Sequence, residues 1–169
     1  MAGDKYMNMV SGLLTEHYGP QTSAGAGSAG QLPALDSSGR LDASFMPTGI
    51  AADTQAITAS EALAAGDLVN IWNSSGAKVR KADASTTGKE AHGFVIAAVS
   101  SSATATVYFE GTNGQVTGLT PGVQFLSATT PGLSTTSAPT GSGQIVQRVG
   151  FATSASTLNF QSEVPVLLA

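Results

Sequence analysis

From about Ala56 onward, apolar residues occur in short runs that are separated by turn-forming residues. The runs Asp67–Trp72 and Ala77–Ala82 flank the letters NSSG, which predicts a β-hairpin. The runs His92–Val99 and Ala103–Gly111 flank three serines and predict a second hairpin. Within the last run, small or apolar residues alternate with threonine and tyrosine, as expected of a strand that is buried on one face.

The remaining sequence continues this pattern to its end. One apolar run, VQFLSA, lies between two Pro-Gly turns, and Gly143–Ala152 and Ser156–Gln161 predict a last pair of strands. No segment after Glu61 keeps a helical period for three turns. We therefore predict an all-β domain, a single compact β-sandwich or barrel of short antiparallel strands. Its expected core consists of Leu68, Ile71, Val79, Phe94, Ile96, Val107, Phe109, Phe125, Val149, Phe151, Leu158 and Phe160.

The first 20 residues fit two kinds of secondary structure. Their apolar residues recur at helical spacing, but Gly12 interrupts the pattern and the segment is short. One helix or an exposed, adhesive strand are both compatible with it. The following segment, PQTSAGAGSAG (Pro20 to Gly30), has little to bury and predicts a flexible linker.

The segment GQLPALDSSGRLDASFMPTG (Gly30 to Gly49) predicts an extended strap with a hairpin-like turn at Ser37-Ser38-Gly39. We accordingly divide the chain into residues 1–55, an extended N-terminal arm with linker and strap, and residues 56–169, the β domain. Leu35 and Leu41 are expected on matching sides of the turn.

The composition of the chain favours some classes of binding partner and argues against others. Charged residues make up only 11% of the chain, against roughly 25% in a typical globular protein, which favours life within an assembly. The net charge of -4 and the absence of a basic patch argue against nucleic acid. Cysteine is absent, and the longest apolar run, Phe94–Val99, is too short to span a bilayer. The first residues lack signal-peptide features, so we expect synthesis in the cytoplasm without export.

Residues with catalytic chemistry are sparse. His92 lies beside Glu90 and Lys89, but a strand-end histidine at the surface is the simpler interpretation. The loop Ala82–Glu90 lacks two features of a phosphate-binding loop, and Asp36–Asp42 lacks the ligand pattern of an EF-hand. No His, Asp or Glu cluster has metal-ligand spacing. We therefore predict no enzymatic activity, no metal and no cofactor.

Apolar residues outside the β domain give the stronger signal, because a short isolated hairpin is marginal in water. They either fold back on the β domain or contact other subunits or a host surface, and we favour the second alternative. The candidate partner-binding residues are Tyr6, Met9, Leu13, Leu14, Leu32, Leu35, Leu41, Phe45 and Met46.

Three stretches carry a resemblance to a known class of proteins. They are SAGAGSAGQLPALDSSGRLDASFMPTGI, ASEALAAGDLVNIWNSSGAKVRKADASTTGKEAHGFV, and the region from VYFEGTNGQVTGLTPGVQFLSATTPG to QIVQRVGFATSASTLNF. Together they resemble the capsid decoration (cement) and head-fibre type structural proteins of tailed bacteriophages. The resemblance extends from Ser23 to Ala169 and is carried by turn and strand signatures.

This resemblance implies a protein of the virion, located on the capsid surface, that binds the major capsid protein and itself. It implies a homodimer or a homotrimer, of which we favour the trimer, and it supplies no catalytic residues. The leading hypothesis is a cement protein that stabilises capsomer contacts through its arm. The alternative is a head- or tail-fibre or anchor protein that displays its β domain to a host glycan, with Trp72, Tyr108 and Thr112–Gln115 as places for sugar stacking.

Overall fold

The computed structural model describes residues 5–46 and 52–169, and the chain divides into two units, residues 1–51 and 52–169. Strands are the longest regular elements of both units and the described residues contain no α-helix, which confirms the all-β prediction. The first unit contains β1 (Lys5–Val10), β2 (Leu13–Tyr18) and two 3-10 turns (Gly25–Ser28 and Ala43–Phe45). The second contains β3 (Thr54–Ala59), β4 (Leu68–Asn73), β5 (Ala77–Lys81), β6 (Gly93–Phe94), β7 (Thr104–Tyr108), β8 (Gly111–Asn113), β9 (Gly122–Leu126), β10 (Ser134–Thr135), β11 (Ile145–Val146), β12 (Arg148–Ser154), β13 (Thr157–Phe160) and β14 (Val166–Leu167).

The first 20 residues form an antiparallel hairpin of β1 and β2, which decides between helix and strand. The cause is the turn at Ser11-Gly12. Both residues have positive φ, 51° and 83°, as a two-residue type I′ turn requires. Such a turn matches the twist of the flanking strands, and the glycine that interrupts the helical pattern is one of the two residues that form it.

The structure does not confirm the extended arm that we expected for the rest of the first unit. Ala34 N–H donates to Pro20 O (2.9 Å), and Ser23 N–H donates to Ser44 Oγ (2.8 Å). The segment predicted as a flexible linker is therefore hydrogen-bonded to the strap and includes a 3-10 turn. Residues 47–49 of the strap lie outside the described residues.

The second unit begins with a closed five-stranded barrel in the order β3-β5-β4-β6-β7. The predicted hairpin of β4 and β5 is confirmed, with Asn73 opposite Ala77 at its turn. β3 closes the barrel because it pairs with β7 on one side and with β5 on the other. The β3–β5 pair is parallel, an exception to the antiparallel strands that we predicted.

A second sheet, in the order β10-β9-β12-β13-β8, follows the barrel along the chain. The expected last pair of strands is present as β12 and β13, and β9 lies in the run between the two Pro-Gly turns. The short strands β11 and β14 form a separate two-stranded sheet near the C-terminus.

Two hydrophobic clusters fill the second unit. One is formed by residues of the barrel strands and their loops, including Ile57, Val69, Val79 and Val107. The other joins the barrel to the second sheet, where Phe94 meets Phe160 edge to face at 5.6 Å between ring centroids. Of the predicted core, the fully buried members are Leu68, Val79, Phe94, Val107, Val149, Leu158 and Phe160, and the half-buried ones are Ile71, Phe109 and Phe125.

Two predicted core residues, Ile96 and Phe151, are exposed, and each placement has a local cause. The register of β12 shifts between Arg148 and Gly150, so the alternation changes phase and Phe151 points outward. Of the run His92–Val99, only Gly93 and Phe94 form a strand, β6. Ile96 follows the end of that strand, so the second predicted hairpin is reduced to one residue pair, Phe94 with Tyr108.

Gln147 supplies the most extensive buried polar contact of the second unit. Its Oε1 accepts from Ala91 N–H at 2.7 Å, and its two Nε2 hydrogens are shared among three acceptors, Ala91 O, Ser162 Oγ and Glu163 O, each 3.0 Å from Nε2. The side chain is 1% exposed. It therefore pairs with the backbone of Ala91 as a neighbouring strand would, three residues before Phe94.

Replacing this side chain tests its contribution to stability. We expect Gln147→Leu to lower the free energy of unfolding by about 2–4 kcal/mol, because Ala91 N–H remains buried without an acceptor. Urea denaturation followed by circular dichroism measures the effect. The matched control Gln161→Leu changes an exposed glutamine of the same region and should stay within about 0.5 kcal/mol. Equal effects of the two variants would contradict the assignment.

Candidate docking surface

The register of the N-terminal hairpin assigns its side chains to two faces. Met7 lies opposite Glu16, Met9 opposite Leu14, and Lys5 opposite Tyr18. Directly opposed residues of an antiparallel pair point to the same side, and successive residues of a strand alternate. One face therefore carries Lys5, Met7, Met9, Leu14, Glu16 and Tyr18, and the other carries Tyr6, Asn8, Val10, Leu13, Thr15 and His17.

The second of these faces is partly used within its own unit. Tyr6 is half-buried and stacks on His17, with 5.8 Å between ring centroids. The Tyr6 hydroxyl accepts a long hydrogen bond from Leu32 N–H, 3.4 Å between Leu32 N and Tyr6 Oη. Tyr6, predicted to bind a partner, thus contributes to the packing of the first unit. Leu13, on the same face next to the turn, is exposed.

The first face remains uncovered, and we call its four apolar or aromatic members, Met7, Met9, Leu14 and Tyr18, the apolar hairpin face. Their exposed fractions are 59%, 67%, 68% and 56%. At the end remote from the turn, Lys5 forms an ion pair with Glu16 and lies over the Tyr18 ring. Glu16, and to a lesser degree Tyr18, raise the pKa of Lys5 above its ordinary value. The face is therefore an exposed apolar strip with an ion pair at one end.

The strap places its predicted binding residues mostly in solvent. Asp36 N–H donates to Arg40 O at 2.8 Å, which confirms the hairpin-like turn at Ser37-Ser38-Gly39. Asp42 Oδ1 accepts from Ser44 N–H at 2.9 Å, and Ser44 lowers the pKa of Asp42 below its ordinary value, mainly through its hydroxyl. The exposed members are Leu32, Leu35, Leu41 and Met46, and Phe45 is half-buried.

Sequence reasoning missed several exposed apolar residues. Met7 and Tyr18 were not among the candidate partner-binding residues, and the strand register places them on one face with Met9 and Leu14. In the second unit, Val123 and Phe151 form an exposed cross-strand pair. The C-terminal residues Val164, Val166 and Leu167 are also exposed, Val164 to 88%, and the letters VPVLL were the available signal.

Side chains with catalytic potential are used for structural contacts in the second unit. His92 Nδ1 accepts from Ile71 N–H at 3.0 Å, and Glu90 Oε1 accepts from Gly88 N–H at 2.8 Å. Glu61 and Asp67 likewise accept backbone N–H groups. Within residues 5–46 and 52–169, no group of three or more His, Asp or Glu side chains is arranged to hold a metal ion.

The residues predicted to stack on a sugar have different roles in the structure. Tyr108 stacks on Phe94 at 5.4 Å, next to the core, and Asn113 of the Thr112–Gln115 loop is buried. Asn113 Nδ2 donates to Gly66 O at 2.9 Å, so this residue holds two loops together. Trp72 lines a surface cleft.

Comparisons with protein-family models, with curated proteins and with solved structures found no match for this chain. In the part of the chain that the structure describes, no helix combines the length and the apolar character needed to cross a membrane.

The exposure of the apolar hairpin face gives a direct prediction. The double variant Met9→Thr with Leu14→Thr should change the free energy of unfolding of the chain by less than about 0.5 kcal/mol, because neither side chain is packed. Threonine also keeps the preference for strand conformation. Binding of the hydrophobic dye ANS should fall in this variant and stay unchanged in the control Asn8→Thr, on the opposite face. Destabilisation by more than about 1 kcal/mol would show that the two residues are buried.

Proposed function

We propose that this chain is a structural protein of a tailed-bacteriophage particle, a decoration (cement) protein that binds the outer surface of the head. It stabilises the contacts between capsomers and catalyses no reaction. The observation that carries this proposal is the apolar hairpin face, four large side chains left in solvent on a two-stranded hairpin. The resemblance of Ser23–Ala169 to phage decoration and head-fibre proteins supplies the class of particle.

In this proposal the first unit is the attachment element and the major capsid protein is its partner. A two-stranded hairpin alone is marginally stable in water, so covering its apolar face also stabilises its fold. The ion pair of Lys5 and Glu16 lies at one end of the apolar strip, where it is placed to form part of a polar rim. The exposed strap residues Leu32, Leu35 and Leu41 extend the contact area toward a neighbouring subunit.

Stable complexes bury roughly 800 Å² per partner, or about 20–30 residues a side, whereas β1 and β2 have six residues each. Strength then has to come from several attachments acting together. A homodimer or homotrimer, of which we favour the trimer, supplies them, because linked sites bind with a high effective concentration. In the second unit, the exposed pair of Val123 and Phe151 is the surface that we assign to self-association.

The second unit is suited to be the outward, inert part of such a protein. It has its own hydrophobic clusters and few charged residues, with only Glu110, Arg148 and Glu163 charged between Ala91 and Ala169. The net charge of -4 supports a role without nucleic acid as a partner. In this proposal the protein is made in the host cytoplasm and resides on the capsid surface.

Reconstitution on heads tests the attachment element. Heads of the encoding phage, assembled without this chain, are incubated with purified protein and the bound fraction is measured after sedimentation. We expect residues 52–169 to remain folded but not to bind, and Met9→Thr with Leu14→Thr to bind at least about tenfold more weakly, since two buried apolar side chains are lost. The control Asn8→Thr should bind as the unchanged chain does. Full occupancy by residues 52–169 would contradict the assignment of the first unit.

The number of copies per virion separates the proposal from its alternative. A cement protein covers the head lattice, so quantitative mass spectrometry of purified particles should find hundreds of copies. A few dozen copies or fewer would contradict a cement role and support a head- or tail-fibre or anchor protein, which displays its β domain to a host glycan.

A further inference from the structure

A cleft opens on the outer surface of the barrel, at the hairpin of β4 and β5. Its volume is about 320 Å³, at the lower end of the range for ligand pockets, so it suits a ligand as small as one sugar residue. Four of the seven Lys and Arg residues of the chain fall between Lys78 and Lys89, and three of these four line the cleft. The lining consists of Ser60, Glu61, Trp72, Arg80, Lys81, Asp83, Lys89 and Pro131.

The centre of the cleft wall is a stacked pair of Trp72 and Arg80. The guanidinium carbon lies 4.5 Å from the centroid of the indole ring. The indole N–H donates to Ser60 Oγ at 3.2 Å, which fixes the ring. Arg80 Nε donates to Asn70 Oδ1 at 3.0 Å, and its Nη2 donates to Gly88 O at 2.6 Å. Both side chains are therefore held in place before any ligand arrives.

The charges around this pair are unevenly balanced. Lys81 lies 3.3 Å from Asp67 Oδ2, and Lys89 lies 3.6 Å from Asp83 Oδ2, so each ammonium group has a carboxylate partner. Among the described residues, no carboxylate oxygen lies within 4.0 Å of the Arg80 guanidinium, whose two hydrogen-bond acceptors are neutral. Arg80 is thus a cation with no carboxylate in direct contact, and because Nε and one N–H of Nη2 are already used, the Nη1 end of its guanidinium is the part that suits a carboxylate.

The rest of the lining matches the hydroxyl groups of a sugar. Sugars present both hydrogen-bond donors and acceptors around an apolar ring, and the cleft offers ammonium donors, the carboxylates of Glu61 and Asp83, and an aromatic surface. We propose that this cleft binds a sugar residue that carries a carboxylate group. Arg80 receives the carboxylate, the part of the Trp72 indole that Arg80 leaves uncovered contacts the sugar ring, and Asp83 and Lys89 bind hydroxyl groups.

This site does not depend on the proposed attachment to a capsid, because every residue that forms it belongs to the second unit. Binding can therefore be measured with the purified full chain in solution. Trp72 is the only tryptophan, so its fluorescence and its single indole N–H resonance both report on this cleft alone.

The test is a titration of the full chain with glucuronic acid, glucose and acetate, followed by Trp72 fluorescence and by NMR. We expect saturable changes with glucuronic acid, and dissociation constants at least about tenfold higher for glucose and acetate, since each lacks one half of the recognised chemistry. No response to glucuronic acid would overturn the proposal. If glucose binds as strongly as glucuronic acid, the proposed role of the carboxylate is wrong. If acetate binds as strongly as glucuronic acid, the cleft binds anions in general and the proposed recognition of a sugar is wrong.

Three variants assign the response to the named side chains. Arg80→Gln and Lys89→Ala should each weaken the binding of glucuronic acid at least about fivefold, and Lys89→Ala keeps the test valid if the first variant is destabilised. The matched control is Lys78→Ala. Lys78 lies opposite Trp72 in the hairpin and carries the same charge, but it is not among the residues that line the cleft. Unchanged binding in Lys89→Ala, or an equal loss in Lys78→Ala, would overturn the assignment.

Discussion

The closure of the barrel depends on a strand of only two residues. Phe94 of β6 pairs with Leu68 on one side and with Tyr108 on the other, so it completes the ring of strands. Its side chain also contacts Phe160 of the second sheet. Gly93 is required beside it, because a Cβ atom there would lie 2.5 Å from Tyr108 O. The buried bonds of Gln147 fix Ala91 just before this strand, so one short segment joins both halves of the second unit.

The two units differ in how far they bury their apolar residues. The second unit has enough strands to surround two clusters, and its exposed apolar side chains include the pair of Val123 and Phe151 and the C-terminal residues Val164, Val166 and Leu167. The first unit has one hairpin and a strap, and most of its large apolar residues remain in solvent. The same composition, poor in charge and rich in small residues, is therefore found both in a unit with two hydrophobic clusters and in a unit whose large apolar residues are mostly exposed.

Local turn chemistry explains which parts of the fold were predictable. The hairpin of β4 and β5 and the pair of β12 and β13 follow from alternation around short turns, and both are present. The parallel pairing of β3 with β5 and the bonds between Gln147 and Ala91 join residues far apart in sequence, and no local pattern marks them. The outward position of Phe151 follows from a register shift that alternation alone does not reveal.

The candidate sites were predictable to a similar extent. Apolar residues beyond the β domain are the basis for proposing the first unit as a contact element, but grouping Met7 and Tyr18 with Met9 on one face required the strand register. The stack of Trp72 and Arg80 joins two neighbouring strands, and it could not be predicted from the sequence either. The sequence alone therefore indicates which apolar residues lie outside the core of the β domain. It does not indicate which of those residues are neighbours in the folded chain.

The position of β3 has a consequence for the order of folding. This strand, Thr54–Ala59, is held between β5 and β7, so the barrel stays open until residue 108 has been synthesised. The hydrogen bonds to Ala91 form later still, because one of their donors, Ser162, is synthesised after residue 108. Non-local pairings of this kind slow folding. We therefore expect the second unit to fold only after residue 162 has been synthesised, whereas the strand pairing of the first unit's hairpin involves residues 5–18 alone.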